Sequence, residues 1–149
     1  MNIYVFSSSS LTNVWAGIGA RTWAISENQA GMSGAATKAA RMRIGSLGLV
    51  YCSETHEVTT PFVVTSRPDT TAKVGNVWAD TWHFPFRMTP LGSPMRTLHK
   101  DVLGAELPSV VATGRQWNKI LLVQPQFVFQ ASEVSEDDWE YLYSRLHHD

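Results

Sequence analysis

The sequence predicts an α+β fold, a mixed sheet of short strands that curls on itself or closes into a small β-barrel, flanked by a few helices. Three observations predict it. Short β-rich runs recur between polar turns throughout the chain. Two segments with clear helix-start signals, after Ser33-Gly34 and after Ser135, stand apart from those runs. The 149 residues, 44% hydrophobic and 17% charged, make one globular domain's worth of core over residues 1–149.

Ile3 to Phe6 is β-rich and runs into the polar Ser7-Ser8-Ser9-Ser10, so it reads as a first strand followed by a loop. Thr12-Asn13 caps a short helical segment that Gly17 and Gly19 weaken. Trp23 to Ser26 is a short extended piece, and Ala35 to Met42 is the best helix of the first half, with Gly45 as its stop. Leu47 to Ser53 is a strand, Glu54 to Glu57 a turn and Thr60 to Thr65 a second strand. Phe84 to Leu91 alternates but carries Pro85 and Pro90, which push it to a sheet edge. Arg96 to Leu103 reads as a helix, Ile120 to Val123 as a strand and Gln126 to Gln130 as another. Ser135 caps a final helix with three acids in its first turn, where the helix dipole favours them.

Composition excludes several classes. The longest apolar runs are too short to span a bilayer, and the N-terminal stretch lacks the basic start of a secretory signal. The single cysteine, Cys52, reads as a buried strand residue and rules out an internal disulfide or a thiolate zinc cluster, which fits a cytoplasmic protein. Net charge is −1, too little for tight sequence-blind binding of nucleic acid. The charge is unevenly spread: residues 1–132 carry eleven Lys and Arg against seven Asp and Glu, and residues 133–149 carry one against six.

Three of the six tryptophans, Trp23, Trp78 and Trp82, sit among small and polar neighbours, in Arg21-Thr22-Trp23-Ala24 and Asn76-Val77-Trp78-Ala79-Asp80-Thr81-Trp82-His83. An indole so framed suits a wall against which a flat or cationic group stacks. Trp15, Trp117 and Trp139 read as packing residues.

The run from Ala39 to Tyr51, with Met42-Arg43-Ile44-Gly45 leading into an apolar strand, resembles the helix-then-strand segment of EVE domains. The stretch Val134-Ser135-Glu136-Asp137-Asp138-Trp139 resembles the ending of that family. EVE domains belong to the PUA superfamily and are relatives of YTH domains, which read methylated adenine in RNA. Like YTH domains, the chain has a Ser-rich turn after its first strand, and Asn13 precedes Trp23 by ten residues. Val77-Trp78 and Thr81-Trp82 reproduce the spacing of the second YTH cage segment, and Gly114-Arg115-Gln116 falls where those domains carry a phosphate-gripping arginine. Ser7 stands where they carry a phosphate-holding lysine, which weakens that contact, and Thr55 to Thr60 lacks glycines that many relatives have.

The resemblance implies a PUA-like, EVE/YTH-like domain that reads a flipped or unpaired methylated base in DNA or RNA through a tryptophan cage. EVE-like modules also occur fused to nuclease or translocase parts in restriction systems, so a fused or associated nuclease is among the partners it allows. Trp23 and Trp78 would be the walls, Trp82 the methyl-facing side, Asn13 the base-edge partner and Ser26 a further hydrogen-bonding group. Arg115, Lys119, Ser7, Arg41 and Arg43 would hold the sugar–phosphate backbone. Stacking supplies about 1–3 kcal/mol per base and methyl burial about 0.8 kcal/mol, against a few kcal/mol for extruding a base from a duplex. Each role has a plain structural counterpart. The indoles could be core, Asn13 a helix cap, Arg115 and Lys119 surface charges, and Arg41 and Arg43 partners of a helix dipole.

Two other classes stay open. A methyl-lysine peptide reader would use the same indoles with Asp80 as the cage carboxylate. A small hydrolytic enzyme would need Glu54, His56 and Glu57 as a metal or acid–base set, but further ligands at suitable spacing are missing, and His147-His148 lies at the chain end. The reading is therefore of a binding domain without catalytic residues, metal or cofactor.

Overall fold

A computed structural model describes residues 2–148. In chain order the elements are β1 Ile3–Ser8, α1 Leu11–Ala20, β2 Thr22–Ile25, α2 Glu27–Ala30, α3 Ala35–Arg41, β3 Leu47–Cys52, β4 Glu57–Val64, β5 Lys73–Val74, β6 Trp82–Pro90, β7 Thr97–His99, α4 Lys100–Glu106, α5 Pro108–Thr113, α6 Trp117–Leu121 and α7 Glu136–Leu146. One curled mixed sheet runs β1-β3-β4-β6-β2, with β7 on the first half of β4 and β5 on the start of β6. Among the described residues only β1 and β3 pair in parallel, in register from Ile3 opposite Leu47 to Ser8 opposite Cys52.

Alternation along the strands feeds two apolar cores, one on each face of the sheet. Tyr4 and Phe6 of β1 join Val50 and Cys52 of β3 in a core closed by α1, α3, Trp78 and Phe129. Ile3 and Val5 join Leu49 and Tyr51 in the other, closed by α4, α6 and α7. Cys52 is buried within its strand. The sheet curls because β4 changes partners midway: Glu57–Thr59 pair with β7, whereas Phe62–Val64 pair with β6. Thr60, at φ 48°, is the hinge between the two halves. Gly48 lets the chain close here, since a Cβ on it would lie 2.2 Å from the Phe62 ring.

Several elements differ from the sequence expectation. The proline-bearing β6 is interior, between β4 and β2, rather than an edge. Its prolines are tolerated because the ladder is interrupted around them. Trp82 and His83 pair with β5, Phe86 and Arg87 with β2, and Pro90 is the last residue. Arg96–Leu103 is divided, with Thr97–His99 drawn into the sheet and the helix starting at Lys100, capped by the His99 ring. Ile120–Val123 does not form a strand: Ile120 and Leu121 are buried from helix α6, and a short apolar run does not by itself distinguish the two. Gln126–Gln130 is likewise irregular, with a 3₁₀ turn at Pro125–Phe127 and Phe129 plugging the first core. Ser10, not Thr12 or Asn13, caps α1, accepting from the Asn13 N–H. Trp15 is 44% exposed on the outer side of α1 rather than packed.

Candidate functional site

The three singled-out tryptophans come together. Trp23 is carried by β2, Trp82 opens β6 antiparallel to it, and Trp78 stands on the Gly75–Thr81 connection between β5 and β6. Trp78 and Trp82 stack with centroids 4.5 Å apart and planes 13° apart, and both present their faces or edges to Trp23 at near right angles, 5.8 and 6.0 Å away. Such stacked and edge-to-face pairs are the preferred aromatic geometries. The Trp78 indole N–H donates to the Asn13 carbonyl at 3.0 Å, tying the connection to α1. Gly17 explains why α1 tolerates glycine in its middle. A Cβ there would lie 2.6 Å from Trp23 and 3.0 Å from Trp78, so the helix backbone rests directly on the indoles.

This geometry redistributes the expected roles. Trp23 is 1% exposed and Trp78 5%, and they are perpendicular, so they are not two open parallel walls. Trp82 is the half-buried indole that reaches solvent. Placing a base between Trp78 and Trp82 would require the pair to part by about one further ring thickness, roughly 3.4 Å, the rise of one stacked base.

Trp82 borders two clefts. The inner one, of about 410 Å³, lies at the carboxyl ends of β1, β2 and β3 and is lined by Ser7, Ser8, Ser9, Asn13, Ser26, Asn28, Gln29, Met32, Tyr51, Ser53, Val123 and Pro125 besides Trp82. The outer one, of about 610 Å³, shares Ser26, Asn28 and Trp82 with it and adds Glu27, Lys73, Asp80, Thr81 and His83. The inner cleft has no carboxylate or ammonium group in its lining; its polar groups are hydroxyls, amides, an indole and a phenol, beside the apolar Met32, Val123 and Pro125. Burial, followed by the neighbouring Cys52 thiol, pushes the Tyr51 phenol above its ordinary value, so it stays a neutral group at neutral pH. Such a surface matches a neutral, flat, edge-polar ligand in size and polarity.

Asn13 and Ser26 both line this cleft. The Asn13 backbone is held by Trp78 and Ser10, and no protein hydrogen bond occupies its side-chain amide among the described residues. Ser26 is the N-cap of α2, in a reciprocal capping box with Gln29. Asn28, Ser9 and Tyr51 were not singled out from sequence. The Ser run after β1 pointed towards this place, but only the parallel pairing of β1 with β3 brings Tyr51 and Ser53 beside it. The Ser53 N–H donates to the Ser8 carbonyl at 2.8 Å, closing the floor.

The expected phosphate-binding residues do not gather there. The Ser7 hydroxyl donates to the Val123 carbonyl, so its proton serves to anchor the chain after α6. Arg115 lies beyond α5 beside Gly104 and Trp117 and pairs with Glu133 at 3.1 Å. The hydrogen bond from Arg115, reinforced by its charge, holds the exposed Glu133 carboxyl below its usual range. Lys119 is exposed in the last turn of α6. Arg41 ends α3 and Arg43 follows it, both exposed.

The residues of a hydrolytic reading are separately occupied. Glu54 accepts from the Leu11 N–H at 2.7 Å, His56 faces the Tyr51 hydroxyl at 3.4 Å, and Glu57 accepts from the Thr97 hydroxyl. Among the described residues no group of three or more His, Cys, Asp or Glu is placed to hold a metal ion. No described helix is long and apolar enough to cross a membrane.

No protein-family model and no curated protein matches the sequence. The fold does have similar solved structures. The MmI1 YTH domain superposes with a TM-score of 0.58 at 11% identity, covering 97% of this chain and 93% of that one. The YTH domain of Zygosaccharomyces rouxii MRB1 protein, solved in complex with N6-methyladenosine RNA, gives 0.54 at 16% identity over 87% and 89%. The Pho92 YTH domain, solved in complex with m6A, gives 0.52 at 16% identity over 72% and 68%. The chain therefore has a YTH-like fold.

Proposed function

We propose that this chain, as a single EVE/YTH-like domain, reads a methylated nucleobase, with N6-methyladenine in RNA as its first candidate. The observation that carries the reading is the meeting of Trp23, Trp78 and Trp82 at the head of a neutral, amide- and hydroxyl-lined cleft. The YTH-like fold supports it, since two of the similar structures hold methylated adenine in the form of m6A or its RNA. In this reading Trp82 is the stacking surface, and Asn13, Asn28 and Ser26 meet the base edge. Trp23 and Trp78 form the apolar ground against which the methyl group is enclosed, once Trp82 has moved off Trp78. Methyl burial of about 0.8 kcal/mol then tunes selectivity, on top of roughly 1–3 kcal/mol of stacking.

RNA or single-stranded DNA suits the domain better than duplex, because an unpaired base spares the few kcal/mol of extrusion. A role in a restriction system, with a fused or associated nuclease or translocase, belongs to the same reading if DNA is the ligand. A methyl-lysine peptide is disfavoured by the lining: Asp80 and Glu27 face the outer cleft, where Trp82 is the one indole.

The test is a titration of tryptophan fluorescence and of the far-UV exciton signal that a stacked indole pair produces. The ligands are RNA bearing N6-methyladenine, the unmethylated RNA, and DNA bearing 5-methylcytosine or 5-hydroxymethylcytosine. The reading expects quenching and a changed exciton signal with a methylated oligonucleotide above its unmodified control. A response to trimethyl-lysine peptide with none to any oligonucleotide would overturn it.

A further inference from the structure

Five arginines crowd the end of the sheet away from the inner cleft. Arg21 closes α1 at φ 52° and its carbonyl accepts from the Met88 N–H, next to Arg87, which pairs across the ladder with Thr22. The Arg87 N–H donates to the Ser66 hydroxyl at 2.7 Å, which places Arg67 beside it. Arg67 in turn donates to the Ala40 carbonyl at 3.1 Å, next to Arg41, while the turn holding Arg43 is tied to Val64 through Gly45 and Ser46. All five are exposed, and among the described residues none has a carboxylate within ion-pair distance. Arg115 and Arg145 differ in this respect, pairing with Glu133 and with Glu106 of α4.

Between Arg67 and Arg87 lies a cleft of about 610 Å³ with Val74, Val77 and Pro85 in its lining. Its wall is the β5–β6 connection, the same one that carries Trp78 into the aromatic cluster. The connection thus has the candidate base site on one side and the arginine cleft on the other. One carboxylate, Asp69, also lines the cleft; one of its two oxygens, Oδ1, accepts from both the Thr71 hydroxyl and N–H, and its charge opposes phosphate there.

We propose that this arginine cleft is a backbone-binding track, in which phosphates beyond the nucleotides next to the read base pass over the Gly75–Thr81 connection and are held by Arg67 and Arg87 in the cleft, with Arg21, Arg41 and Arg43 extending it along the same end of the sheet. This rests on the reading of the chain as a nucleic-acid binder and assigns its phosphate contacts away from Arg115. Guanidinium forks that lack protein carboxylates suit phosphate, which they hold bidentately, better than they suit an apolar partner.

The experiment compares wild type with the double variant Arg21→Gln/Arg87→Gln, whose exposed arginine side chains make no hydrogen bond or ion pair among the described residues and whose fold is checked by circular dichroism. Two labelled RNAs each carry one N6-methyladenine, one as a trimer and one as a twelve-nucleotide oligouridylate, and binding is followed across a salt series. The trimer should bind both proteins alike. For the longer RNA the variant's salt slope should fall by about 1.4, two phosphates at about 0.7 each for a single strand. Asp69→Asn should strengthen binding of the longer RNA. Equal affinity and equal salt slope for wild type and variant would overturn the track, as would polyglutamate of matched length displacing the longer RNA at equal charge concentration. Failure of the base reading looks different: methylated and unmethylated RNA bind alike, while the variant still loses salt slope.

Discussion

At the residue scale, the three indoles divide into two that build and one that meets solvent. Trp23, at 1% exposure and in contact with Gly17, Trp78 and Trp82, is a core residue as much as a cage residue. Trp23→Ala should therefore cost about 3–5 kcal/mol of stability, the range for deleting a buried aromatic, measured by denaturant unfolding. Trp82→Ala removes a half-buried ring and should leave the fold intact while costing about 1–3 kcal/mol of oligonucleotide affinity. If Trp82→Ala binds methylated RNA as wild type does, Trp82 is not the stacking surface. Gly17→Ala should destabilise by about 1–3 kcal/mol, because the added methyl meets two rings wedged between the helix and the sheet rather than a flexible side-chain end. The local chemistry around these tryptophans was legible as small, polar framing. That Trp23 is sealed was not, because burial depends on α1 crossing over it.

At the element scale, boundaries were read best where one side chain enforces them. Ser135 accepts from the Asp138 N–H at 3.1 Å while Asp138, fully buried, accepts from the Ser135 N–H at 3.0 Å and from Ser109 on α5. The acids expected simply to favour the helix dipole thus include one that also joins two helices. Ser135→Ala should lower stability by about 1 kcal/mol. Asp138→Ala should cost more, since it strands buried donors at about 1–3 kcal/mol each, and a chemical denaturation series would rank the two. The elements misread, β7, α6 and the 3₁₀ turn after it, are short apolar segments whose form is decided by the surface they cover. Thr97–His99 finds a free edge on β4, whereas Ile120 and Leu121 are buried from helix α6 in the core that includes Leu49 and Tyr51 of β3.

At the scale of the whole molecule, the charge imbalance along the sequence becomes a spatial one. Glu133 of the acidic C-terminal segment pairs with Arg115, and Arg145 within that segment pairs with Glu106 of α4, while the five arginines at the far end of the sheet have no carboxylate within ion-pair distance among the described residues. Replacing Glu133 with Gln should free Arg115 and raise oligonucleotide binding if that arginine reaches phosphate, and leave it unchanged if the arginine cleft carries the contacts. Ionic strength separates the same alternatives, because phosphate contacts are lost with salt and base stacking is not.

The sequence by itself determined what depends on neighbours along the chain. That includes the α+β class, the first strand, α3, β3, the capped final helix and the identity of three tryptophans set in unusual surroundings. The tertiary structure decided what depends on partners far away: the interior position of β6, the inner cleft that parallel pairing of β1 and β3 completes, and the closed stacking of Trp78 on Trp82. It also decided where positive charge collects, since Arg67 and Arg87 line one cleft, with Arg21 beside it at the start of β2, only because β2, β6 and the chain after β4 share one end of a curled sheet. Local propensity and capping act over a few residues, whereas pairing and burial are settled by the fold as a whole.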